Sequence, residues 1–142
     1  TTWAHQLATA YIFNSSLLVM AENPEFLFTE KKLEPIIPFI KSLPTVWDET
    51  KVLKGSKIGE LAVFARRKGM IWYLIALNGG KAKEFSCKLD FTGFTNNLVH
   101  TISDVQNDSK NIEQTNTTLK KGEFLSFQLA NNGGFVAKIE QK

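Results

Sequence analysis

The sequence predicts a mainly β protein with a helical N-terminal segment, its body an antiparallel β-sandwich of about seven or eight strands. Three observations predict it. All four prolines lie at or before position 44, where apolar residues recur at helical spacing, whereas from Pro44 onward apolar and polar residues alternate. Gly and Asn turn signals cut the second part into short segments. One of those segments is apolar throughout, as a central strand covered on both faces must be. The change of period places a boundary near Leu43-Pro44, with a helical unit over 1–43 and the sandwich over 44–142.

The first element is a helix over 3–13. Trp3, Leu7, Ala10 and Tyr11 share one face, and Ala4, Ala8 and Ile12 fill a second. A helix apolar over that much of its surface belongs between neighbours, and those neighbours are expected to be missing from this small chain. Leu17-Leu18-Val19-Met20-Ala21, bounded by Glu22-Asn23-Pro24, reads as a helical turn. Leu33, Ile36, Ile37, Ile40 and Leu43 form one amphipathic face, and Pro35 and Pro38 are tolerable if that helix starts near Pro35. Residues 44–53, PTVWDETKVL, read as the opening strand.

Beyond it, Leu61, Val63 and Ala65 alternate with polar positions that include Glu60 and Arg66. Residues 71–77 are the central strand. Phe85, Cys87, Leu89 and Phe91 alternate with Glu84, Ser86, Lys88 and Asp90, giving one buried and one wet face. Leu98, His100 and Ile102 lie on a further strand. Leu125, Phe127 and Leu129 mark another, and Phe135, Ala137 and Ile139 close the last. Residues 106–121 are rich in Asn, Thr, Ser and Asp and weakly patterned, so a short edge strand inside a long solvated excursion is expected there.

The 142 residues are 43% hydrophobic and 22% charged, the composition of about one globular domain. A net charge of +3 from scattered lysines gives no basic stripe, and Arg66-Arg67-Lys68-Gly69 reads as a strand end leading into a turn, so nucleic acid is not an expected partner. No run reaches the roughly 18 apolar residues of a membrane span, and there is no signal-peptide pattern. The chain opens on Thr-Thr-Trp without Met and is expected to be part of a longer protein.

Chemistry is sparse. Cys87 is the only cysteine, which excludes an internal disulfide and a cysteine-based zinc site. His5 and His100 have no metal-ligand spacing and read as hydrogen-bonded packing residues. Trp47, Trp72 and Tyr73 are either sandwich core or a sugar-stacking platform, with core favoured for Trp72. Asn14, Asn107 and Asn116 each begin a glycosylation triplet, a pattern with meaning only in a eukaryotic secretory setting. Asp48 and Glu49 beside Trp47 suggest an acid/base pair, but neighbours on a strand point to opposite faces and cannot share one substrate.

Taken together, His5-Gln6-Leu7-Ala8, residues 17–24, Pro44-Thr45-Val46-Trp47-Asp48-Glu49-Thr50, Lys57-Ile58-Gly59-Glu60, residues 65–69 with Trp72-Tyr73, and Asn132-Gly133-Gly134-Phe135 resemble the C-terminal end of glycoside hydrolase family 97. The resemblance implies a parent with an N-terminal β-domain, a catalytic (β/α)8 barrel and a C-terminal β-sandwich. Residues 1–43 would then be the last barrel helices, and 44–142 the sandwich. It implies a calcium-dependent α-glucosidase or α-galactosidase acting on oligosaccharides, in the periplasm or outside the cell. The family's catalytic glutamates and calcium ligands would lie upstream, so no catalytic or metal residue is assigned here. Thr1, Thr2 and Trp3 would follow the eighth barrel strand and edge the substrate pocket. The family commonly has an arginine where Trp3 stands. The alternative is a non-catalytic sandwich that binds carbohydrate or mediates assembly behind a helical linker.

Overall fold

The structure is a computed structural model that describes residues 1–19 and 23–142. Helices come first: α1 (Trp3–Ile12), α2 (Pro24–Thr29), a 3-10 helix (Lys31–Ile36) and α3 (Ile37–Lys41). The strands follow as β1 (Glu49–Val52), β2 (Leu61–Lys68), β3 (Ile71–Asn78), β4 (Lys83–Lys88), β5 (Asn96–Val105), β6 (Asp108–Lys120), β7 (Phe124–Leu129) and β8 (Gly134–Gln141). Six strands form one antiparallel sheet in the order β1-β2-β3-β8-β5-β6, and β4 pairs with β7 in a second. The result is three layers: helices, a large sheet and a small sheet.

Alternation of side chains along each strand gives the large sheet two apolar faces, and each is a core. On one face Val63, Trp72, Leu74, Phe135 and Ile139 meet Leu125, Phe127 and Leu129 of the small sheet. Phe127 and Phe135 stack there with ring centroids 3.7 Å apart, joining the sheets. On the other face Tyr73, Ile75, Ile102 and Val136 meet Ala4, Leu7, Ala8 and Tyr11 of α1 together with Leu33, Ile36 and Phe39. β3 is buried on both sides, as its unbroken apolar run predicts.

This second core corrects the expectation that the neighbours of α1 lie outside the chain. The sheet itself supplies those of Ala4, Ala8 and Tyr11, while Trp3 and Ala10 stay half-buried. Ala4 and Ala8, fully buried, let the helix backbone approach the sheet closely, while Tyr11 is enclosed by Phe39, Trp47 and Tyr73.

Three further elements differ from the sequence reading. The stripe over 33–43 is split: Pro35 sits inside the 3-10 helix, and α3 begins later with Pro38 in its first turn, where an N–H is not needed. The opening strand starts only at Glu49, because 44–48 turn Trp47 inward to the ring cluster. Residues 106–121 form not a short edge strand in a loop but the long strand β6, held by β5. Leu17–Val19 are irregular, so the expected helical turn is not found there; Met20 and Ala21 lie outside the described residues. The six-residue α2, capped by the Asn23 side chain on the Glu25 N–H, was not expected.

Candidate functional site

A buried polar cluster lies where the start of α1 meets the turn between β7 and β8. Thr2 is the N-cap of α1, its Oγ1 accepting from the His5 N–H at 3.0 Å. The same hydroxyl donates to Oδ1 of Asp104 at 2.5 Å, and the other carboxylate oxygen accepts from the N–H groups of Ala130 (3.0 Å) and Gly134 (2.8 Å). His5 Nδ1 lies 3.1 Å from the carbonyl of Gly133. Asn78, fully buried, donates to the carbonyls of Gly80, Lys81 and Ala130. Two glycines permit the approach. A Cβ on Gly134 would lie 2.5 Å from the His5 Cα, and one on Gly133 would collide with Asp104.

The other end of α1 is held by Arg66 of β2. Its Nη1 donates to the carbonyls of Tyr11 and Phe13, both at 3.1 Å, so a cation closes the negative end of the helix. The guanidinium lies over the Trp47 and Phe64 rings at 5.3 and 5.6 Å. Burial draws its pKa below the usual arginine value, and Nε finds no partner. Arg66 was expected on the wet face and is 4% exposed; the helix end and the aromatic rings cover it.

Of the three residues placed at a pocket edge, Thr1 is exposed, its hydroxyl accepting from Gln6 Nε2 at 2.8 Å. Thr2 is buried against Asp104. Trp3 is half-buried and lines an outward-facing apolar cleft of about 580 Å³ with Leu7, Phe13, Val19, Phe26 and Ile40. Asp48 and Glu49 do not face one substrate. Asp48 accepts from the Gly69 N–H (2.7 Å) and Lys68 Nζ (3.1 Å), while Glu49 pairs with Arg67 and Lys51, each at 3.2 Å. The Gly69 N–H, then Lys68, pull the Asp48 carboxyl below its ordinary pKa; Lys51, then Arg67, do the same for Glu49. These carboxylates tie β1 to the β2–β3 turn.

Trp72 and Tyr73 are core, and Trp47 packs edge-on to Tyr73 at 5.4 Å, so these three form no sugar platform. His100 bonds Asn116 Oδ1 across β5 and β6 at 2.7 Å. Cys87 packs against the sandwich core, and burial pushes its thiol up to about 11. Among the described residues no group of three or more His, Cys, Asp or Glu comes together to hold a metal ion, and no helix is long and apolar enough to cross a membrane.

A helix fastened at both ends to one face of a two-sheet antiparallel sandwich defines a β-sandwich domain that carries a helical layer on its large sheet. The chain belongs to the family described as glycosyl-hydrolase 97 C-terminal, oligomerisation, whose model matches residues 46–140. It is 32% identical over 142 residues to a retaining alpha-galactosidase of Bacteroides thetaiotaomicron, an alignment covering 98% of this chain and 21% of that protein. A glycoside hydrolase family 97 enzyme from Pseudoalteromonas sp. strain K8, solved with acarbose, matches over 99% of this chain and 22% of its own, with a TM-score of 0.86 and 26% identity. A beta-arabinopyranosidase matches over 97% and 21%, with a TM-score of 0.81 and 28% identity. The chain thus spans about a fifth of the length of these relatives.

Proposed function

We propose that this chain is the C-terminal end of a retaining glycoside hydrolase that cleaves α-galactosidic bonds in oligosaccharides, with α-glucosidic bonds the second choice. Residues 1–43 close its catalytic barrel, and 44–142 brace that closure and join subunits. The observation that carries the reading is the continuous match, helices and sandwich together, to a retaining alpha-galactosidase. The outward cleft at Trp3, Phe13 and Phe26 suits it, because such a cleft seats further helices of a barrel. The buried state of Trp72 and Tyr73 removes the main support for a free-standing sugar-binding module.

In this reading the catalytic carboxylates and the calcium belong to the preceding barrel. The chain's own contribution is positional: Asp104 fixes Thr2, and so the backbone at Thr1 and Trp3 where the barrel's last strand would end. The periplasm or the cell exterior is the proposed location.

The natural full-length protein, assayed on aryl α-galactosides and α-glucosides before and after chelation, tests this. Galactoside turnover that chelation abolishes and calcium restores is expected. Turnover of neither glycoside would overturn the activity; turnover indifferent to chelation would overturn the calcium assignment alone.

A further inference from the structure

We infer that the outer edge of β6 is a self-association surface, on which a second copy of this chain lays its own β6 antiparallel across a two-fold axis near Asn116. The inference rests on the reading that this region joins subunits, and it names the surface. β6 ends the strand order of the large sheet, so among the described residues no strand takes up its outward N–H and C=O groups. Its pairing with β5 runs without a break from Asn96 opposite Lys120 to Asp104 opposite Ile112. The register shift lies at the far end, between Asp104 and Val105.

Exposed edges are ordinarily blunted by short length, charge, proline or a bulge. β1, the opposite edge of the same sheet, is blunted: it has four residues, and Glu49 and Lys51 alternate along it. Over Gln114, Thr115, Asn116, Thr117 and Thr118, β6 has none of these protections. All five are exposed, and the helical layer reaches β6 where Ile112 packs against the helix-side core. The β-branched threonines favour an extended partner.

The geometry points to a second copy. A two-fold axis perpendicular to the sheet keeps side chains on their own faces, and it closes after two subunits instead of growing a filament. Full overlap of 112–120 about Asn116 puts Gln114 opposite the partner's Thr118, Glu113 opposite the partner's Leu119 and Ile112 opposite the partner's Lys120. No like charges face one another in that register.

The test uses the natural full-length protein in sedimentation equilibrium over a concentration series. A Gln114→Lys/Thr118→Lys variant places lysines opposite lysines and is expected to weaken association on the order of tenfold, with circular dichroism unchanged. A Gln114→Glu/Thr118→Glu variant reads the same repulsion independently should the lysine form misfold. An equimolar mixture of the two is expected to regain association, because lysine then meets glutamate. Association of either variant at the natural strength would overturn the β6 surface alone. A natural protein that stays monomeric throughout would overturn the subunit-joining reading with it.

Discussion

Asp104 is one carboxylate serving three donors from two distant parts of the chain. Asp104→Asn would leave a single acceptor oxygen for these three donors, with an NH2 facing at least one of them. We expect it to cost about 1–3 kcal/mol of unfolding free energy, measured by urea titration, because a buried donor left unpaired costs that much. Thr2→Val removes both the helix cap and the hydroxyl bond and is expected to cost about 1–2 kcal/mol in the same assay. In contrast, Glu49→Gln in the full-length protein is expected to leave turnover nearly intact. A large loss of turnover at unchanged stability would return Glu49 to the active site. The burial of Cys87 has its own signature. A thiol pushed up to about 11 is almost wholly protonated at pH 8, so its reaction with a disulfide reagent should rise on the order of a hundredfold on unfolding. The related stability is intact below the unfolded thiol range near ~8.5 and is lost as pH rises toward about 11. Residue-level contacts of this kind were poorly legible in the sequence. Thr2 and Asp104 are 102 positions apart, and no periodicity connects them. The signal that was present, a threonine just before a helix and Gly-Gly before the last strand, marked the cap and the close approach without marking their partner.

Elements were legible where burial imposes a period. β4 and β7 alternate because one face meets the other sheet, and β3 is apolar because both faces are covered, as they also are for β8. β6 escaped because an edge strand exposed on both sides has no apolar face to write into the sequence; β5 alone holds it extended. Arg66 misled for the complementary reason: charge on a strand reads as solvent, and here the carbonyl end of α1 takes the place of water. The β7–β8 turn supplies the element-scale prediction. Gly134→Ala would push a methyl into the α1 backbone, which cannot yield as a flexible side chain would. We expect a loss of about 1–3 kcal/mol, read as a lowered urea midpoint, with β8 still formed by circular dichroism.

For the whole molecule, the sequence separated helices from sandwich correctly in order but not in their dependence on each other. The helices and the sheet share a core, and the apolar surplus of α1 belongs chiefly to that core. Acid should expose the surface side of the balance. Gly69 N–H and Lys68 hold Asp48 below its usual pKa, Lys51 and Arg67 hold Glu49 there, and Lys57 holds Glu60. Carboxylates of lowered pKa stabilise the fold above their unfolded range near ~4 and cease to do so as pH falls through their folded values. The urea midpoint is therefore expected to fall between pH 6 and pH 3, and less so in high salt, where exposed pairs are already screened.

Because Asp104 grips the start of α1 and Arg66 its end, the peptide bonds between helices and sandwich are not what keeps them together. A protease nick in the exposed stretch at Thr45 and Val46 should leave two fragments that co-migrate on gel filtration and part only in denaturant. The linker sets the order of the chain; the grip sets the position of the helix.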